Sequence, residues 1–183
     1  MIDSTIFGWA TLGLAGLAAA FDLRKGRIPN WLTLGALTIA PLGHAAFVQS
    51  HMHDLQESAA AAGISILGAA ICGFVPAVLW RLRTVGGGDV KLFAAIGATA
   101  GFTLGLASTF YSFLFASAFV VLRLAWRGTL LRSVGNGFVS LANPFLPGGR
   151  RIALRHELLE SVRFGLAICA GVAFAVFQQG ALS

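Results

Sequence analysis

The stretch VKLFAAIGATAGFTLGLASTFYSFLFASAFVVL, Val90–Leu122, decides how this chain folds, because it is almost entirely apolar and too long for a single helix across a membrane. About 20 mostly apolar residues are enough to span the hydrocarbon core of a bilayer. We therefore predict two shorter helices joined by a turn near Gly101–Gly105. Gly97, Gly101 and Gly105 recur at a four-residue spacing that also lets neighbouring helices approach closely.

The composition of the whole chain is that of a membrane protein. Of its 183 residues, 57% are hydrophobic and only 11% are charged, and the mean hydropathy is +0.81. A soluble domain of this length needs far more polar surface. Four further apolar stretches are present, at Ile6–Phe21, Trp31–Val48, Ala59–Trp80 and Val162–Phe177.

These stretches together predict an all-α, polytopic membrane protein with about six transmembrane helices. Residues 1–183 are expected to form one transmembrane domain with a cytoplasmic loop at 124–159. The expected spans are approximately 5–22, 31–48, 59–80, 89–103, 105–123 and 160–178.

The distribution of charge predicts the orientation. With six spans and the N-terminus outside, all 13 Lys and Arg residues fall on the inner side, whereas the outer segments carry Asp3, Asp54 and Glu57. Basic residues concentrate on the cytoplasmic side of membrane proteins. We therefore assign the net charge of +6 to loops that face anionic lipid, and we expect no nucleic-acid partner.

Two carboxylates stand at the edges of predicted spans. Asp22 ends the first span, in FDLRKGRIPNWLT, and Asp89 begins the fourth, in GGGDVKLF. The predicted topology puts both at the cytoplasmic edge of the membrane at similar depth, so they can meet if these two spans touch. Ionisable groups are costly in a bilayer and usually indicate function.

Two adjacent aspartates can hydrolyse a peptide bond without a metal. They share a proton because both cannot ionise cheaply, so one acts as general base on water and the other as general acid. Taken singly, each also has a structural interpretation. Asp89 could cap a helix, and Asp22 could pair with the neighbouring bases Arg24, Lys25 and Arg27.

The residues around the two aspartates complete the candidate site. Gly86, Gly87 and Gly88 predict a loop that a substrate backbone can approach closely. Lys91 lies on a different helical face from Asp89 and is predicted to reach the head groups. Pro29 predicts a turn between the first two spans. The two cysteines stand alone in apolar runs, so we expect neither a metal site nor a cofactor.

These residues resemble a known family. GGGD fits the GxGD motif of intramembrane aspartic proteases, and FD…IPN…LT together with GGGDVKL resembles the type IV prepilin peptidases. The short chain and six predicted spans resemble the small TadV/CpaA-type branch, which serves the tight-adherence (Flp) pilus system. The resemblance implies that Asp22 and Asp89 are the two catalytic aspartates and that Gly86 and Gly88 are the motif glycines. It gives Ile28, Pro29 and Asn30, the end of the first motif, a structural role.

The function implied by this resemblance is cleavage of the basic leader of a pilin precursor at the cytoplasmic face of the bacterial inner membrane. Larger prepilin peptidases carry paired CxxC motifs and also N-methylate the new terminus. This chain lacks those motifs, so the resemblance implies peptidase activity without methyl transfer. Two alternatives stay open: a non-catalytic membrane assembly subunit, and a small transporter that uses Asp89 as an ion relay.

Overall fold

The computed structural model describes residues 2–82, 85–126 and 164–182, and these residues form five helices. The helices are α1 (Ile2–Lys25), α2 (Asn30–Met52), α3 (Leu55–Arg81), α4 (Gly87–Trp126) and α5 (Phe164–Leu182). Each is long and apolar enough to cross a membrane. The prediction of an all-α polytopic membrane protein is confirmed.

Helix α4 is a helical hairpin. A straight helix of its 40 residues would be about 60 Å long, roughly twice the thickness of the hydrocarbon core. The backbone leaves the helical region at Gly101, where φ is 73° and ψ is −173°. The rings of Phe93 and Phe113 stack with their centroids 5.2 Å apart, so residues 102–116 fold back along residues 87–100.

The described residues form five helices rather than about six, because the two spans predicted at 89–103 and 105–123 are the two arms of the single helix α4. No separate loop joins the arms because one glycine with positive φ turns the chain. The helix also continues through Trp126, beyond the predicted start of the loop at 124. The rest of that loop and residues 160–163 lie outside the described residues.

Glycines allow the helices to pack backbone against backbone. A Cβ atom on Gly97 would overlap the Gly68 carbonyl oxygen and would lie 2.7 Å from Cys72 Cβ, so α4 lies directly on α3. A Cβ on Gly105 would lie 3.0 Å from Gly97 Cα, across the hairpin. Small residues give close helix contacts in lipid, where no hydrophobic effect drives helices together.

The buried core joins the end of α1 to the start of α4. Its members come from α1, α2, α4 and α5: Leu14, Ala15, Ala18, Leu32, Leu92, Phe93, Ala95, Ile96, Ile168 and Val172. Helix α1 also packs along α5, and α2 packs along α3. This core belongs to a compact unit that consists of the described residues up to Ala116 together with α5. Residues 117–126 belong to a second unit, and they are helical.

Candidate active site

A cleft of about 560 Å³ opens where α1 ends and α4 begins. Most of the predicted site residues line it, namely Asp22, Ile28, Pro29, Asn30, Gly86, Gly88 and Asp89. The chain around the connection between α1 and α2 contributes one group of lining residues, and Gly86 and the first turn of α4 contribute the other. Two sequence segments that are far apart in the chain therefore meet at one site.

Asp22 lies in the last turn of α1, which ends because Gly26 adopts the left-handed conformation with φ 63°. The Gly26 N–H donates to the Asp22 carbonyl at 2.9 Å. The Asp22 side chain is partly buried, and its Oδ2 accepts a hydrogen bond of 3.0 Å from the backbone N–H of Gly165 in α5. A backbone amide is thus the described partner of this carboxylate.

Asp89 lies in the first turn of α4, which begins two residues earlier at Gly87. Asp89 therefore does not occupy the N-cap position itself. Its carboxylate still accepts a hydrogen bond from the backbone N–H of Gly86, as the third residue of a helix does in a capping box. The Gly86 carbonyl accepts hydrogen bonds from the N–H groups of Asp89 and Val90, at 3.1 and 3.3 Å. A Cβ on Gly86 would lie 3.1 Å from Asp89 Oδ2, so the glycine at this position leaves room for the carboxylate.

The two carboxylates are close enough to interact electrostatically, since the charge of Asp22 acts on Asp89. Both are partly buried, and both face the same cleft. Two like charges in a partly buried cleft repel each other, and a proton on one of them would relieve that repulsion. The arrangement can therefore offer one carboxylate and one carboxylic acid to a bound molecule.

Two predicted site residues do not appear among the described lining of the cleft. Gly87 lies against α3, where a Cβ would be 3.3 Å from Nε1 of Trp80. Lys91 is partly buried, and its Nζ donates a hydrogen bond of 2.9 Å to Oδ1 of Asn30. This bond ties the first turns of α4 and α2 together beside the cleft.

We predict that Lys91→Met weakens this connection and lowers the free energy of unfolding by roughly 0.5–1.5 kcal/mol, the usual net contribution of one hydrogen bond. Asn30→Leu should have a similar effect, and the double variant should be no worse than either single one because both remove the same bond. Thermal unfolding in detergent measures all three variants. Additive losses would show that Lys91 and Asn30 act independently.

Several residues of the site were not predicted. Phe21, Lys25, Arg27 and Trp31 also line the cleft, although the basic residues were assigned to lipid head groups or ion pairs. These four residues lie close to Asp22 and Pro29 in the sequence, and that proximity could have predicted that they line the same cleft. Gly165 contacts Asp22 from α5, and no local pattern in the sequence links it to the site.

Comparison with protein-family models identifies the family of the chain. The model of the type IV leader peptidase family matches residues 9–121, which include most of α1, all of α2 and α3, both aspartates and most of the α4 hairpin. The chain belongs to the type IV leader peptidase family. The match covers more than half of the chain and ends before α5.

Membership of the type IV leader peptidase family identifies the chain as a peptidase and makes pilin precursors its general class of substrate. The five apolar helices agree with a membrane location. No curated protein and no solved structure matches the chain. The proposed mechanism is therefore based on the residues that line the cleft.

Proposed function

We propose that this peptidase cleaves the basic leader of a type IV or Flp-type pilin precursor at the cytoplasmic face of the bacterial inner membrane, with Asp22 and Asp89 as its catalytic residues. The observation that supports this proposal is the presence of both carboxylates in one cleft at helix ends. The proposal includes the TadV/CpaA-type branch, which the motifs of the chain resemble.

In the proposed reaction, the ionised aspartate takes a proton from water, and the water oxygen attacks the scissile carbonyl carbon. The protonated aspartate gives its proton to the carbonyl oxygen, which forms a tetrahedral diol. The C–N bond then breaks as the first aspartate passes the proton it took from water to the leaving amine. The second aspartate recovers a proton from a hydroxyl of the diol, and the carboxyl product forms. The two aspartates act as one pair, so either can fill either role.

The cleft suits a substrate that enters from the membrane edge. The pilin's apolar helix would lie in the bilayer beside the enzyme, and the peptide bond just before it would then reach the depth of the aspartates. Gly86 and Gly88 line the cleft without side chains and allow a peptide backbone to approach. Lys25 and Arg27 also line it, so a basic leader would have to be attracted by the aspartates or by anionic lipid.

The direct test uses the purified chain in vesicles with a full-length pilin precursor. We expect the precursor to lose its leader, and N-terminal sequencing should place the cut immediately before the apolar helix. Vesicles without the enzyme, and a precursor whose apolar helix is deleted, serve as controls. A precursor that remains intact with folded enzyme would contradict the proposal.

We further predict that the new pilin N-terminus stays unmethylated. The chain has two cysteines, Cys72 and Cys169, and no CxxC motif, so it lacks the cysteine motifs found in the methylating prepilin peptidases. Intact-mass measurement of the cleaved pilin, after incubation with S-adenosylmethionine, should give the mass of the free amine. A mass increase of one methyl group would contradict this prediction.

A further inference from the structure

Gly165 makes the one described contact between α5 and the side chain of a proposed catalytic residue. It is the second residue of α5, and its backbone N–H donates to Asp22 Oδ2 at 3.0 Å across 143 positions of sequence. The first N–H groups of a helix have no partner inside the helix, so this amide is available to Asp22. The positive end of the helix dipole also faces the carboxylate.

The approach of α5 to Asp22 requires a glycine at this position. A Cβ on Gly165 would lie 2.9 Å from both Cβ and Oδ2 of Asp22, and 3.2 Å from Ala19 Cα. Two of these three atoms, Asp22 Cβ and Ala19 Cα, are held by the backbone of α1 and cannot move aside as the end of a side chain can. Helix α5 would have to shift away to accommodate any other residue.

We propose that Gly165 is a positioning residue for Asp22: its N–H holds the carboxylate in the cleft, and its missing side chain lets α5 come close enough to do so. The catalytic consequence of this contact rests on the proposed peptidase function. Gly165 lies outside the region matched by the family model, so the inference is based on the hydrogen bond between Gly165 and Asp22 and on their close approach.

The kinetic test compares three glycine-to-alanine variants of α5. Gly165→Ala should lower kcat about 100-fold with little change in KM, because a displacement of about 1 Å in a catalytic group costs that much. Gly171→Ala is the matched packing control, since its Cβ would overlap the backbone of Ser112, away from Asp22. Gly180→Ala is the neutral control, since nothing lies within 4 Å of a Cβ there.

Gly171→Ala should lower the thermal unfolding temperature but leave kcat per folded molecule within about threefold of wild type, because it removes no interaction of the reacting groups. Gly180→Ala should change neither quantity. The inference is overturned if Gly165→Ala keeps wild-type kcat, or if Gly171→Ala loses kcat per folded molecule to the same extent.

A second measurement does not depend on activity. Gly165→Ala should lower the unfolding temperature less in an Asp22→Ala background than in wild type, because the hydrogen bond and the close contact with Oδ2 are already absent. Gly171→Ala should cause the same loss in both backgrounds. Equal losses for Gly165→Ala would overturn the inference. If the wild type cleaves no pilin precursor, the proposed function fails while this stability coupling can still be measured.

Discussion

Asp22→Asn and Asp89→Asn should each reduce leader cleavage by about 10²–10⁴-fold, the range that general acid–base catalysis supplies. Asparagine has nearly the same shape as aspartate but cannot take up or release a proton at neutral pH. In Asp22→Asn the amide retains an oxygen that can accept the Gly165 N–H, so the change removes the chemistry and keeps the described hydrogen bond. The unfolding temperature should therefore remain close to that of wild type.

Cleavage of the pilin precursor in vesicles, followed by gel shift and mass spectrometry, measures this loss. The matched control is Asp54→Asn, since Asp54 caps α3 by accepting from the Gln56 N–H at 2.8 Å and asparagine caps equally well. The double variant at Asp22 and Asp89 should be no slower than either single variant because the two groups act as a unit.

The same variants separate the alternative functions. If either asparagine variant processes the leader at the normal rate, the two-aspartate mechanism is refuted. A non-catalytic assembly subunit predicts lower stability or weaker complex formation with no effect on cleavage. A small transporter predicts proton-coupled uptake in vesicles that Asp89→Asn abolishes.

Gly97→Ala should strongly destabilise the packing of α4 on α3. The added Cβ would overlap the Gly68 carbonyl oxygen and lie 2.7 Å from both Gly68 C and Cys72 Cβ. Backbone atoms of another helix cannot rotate away, so α3 and α4 must separate. Overpacking of this kind typically costs about 1–3 kcal/mol, which is a large share of the stability of a small domain.

Thermal unfolding in detergent and the yield of monodisperse protein measure the effect. Gly63→Ala in α3 is the control, since nothing lies within 4 Å of its Cβ and alanine is favoured over glycine within a helix by roughly 0.5–1 kcal/mol. Gly97→Ala should lower the unfolding temperature, and Gly63→Ala should leave it unchanged or raise it. An unchanged unfolding temperature for Gly97→Ala would contradict the close packing of α3 on α4.

Several features of the fold and the site were predictable from local patterns. The length of Val90–Leu122 required a turn, and the break falls at Gly101, within the predicted range. Gly105 was assigned to the same turn but lies in the second arm, packed on Gly97. Hydropathy could not separate these roles, because a glycine that turns the chain and one that admits a neighbouring helix look alike in one sequence.

The candidate site likewise contains residues that the sequence identified and residues whose position only the structure showed. Asp22 and Asp89 could be selected because charge at the edge of an apolar span is costly, and the cleft that contains both agrees with that selection. Gly87 was grouped with Gly86 and Gly88 on sequence alone, yet it lies against Trp80. Three adjacent glycines at the start of a helix lie on different sides of it. Only the position of the neighbouring helix shows which of them lines the cleft and which packs against Trp80.

The sequence by itself determined that this chain is a helical membrane protein with two carboxylates at span ends, because the bilayer acts on the length, apolarity and charge of each segment separately. The tertiary structure decided which groups meet: Gly165 with Asp22, Lys91 with Asn30, and Gly97 with Gly68. These contacts join residues on different helices. They depend on how closely the backbones pack, and no periodicity within a single helix encodes that distance.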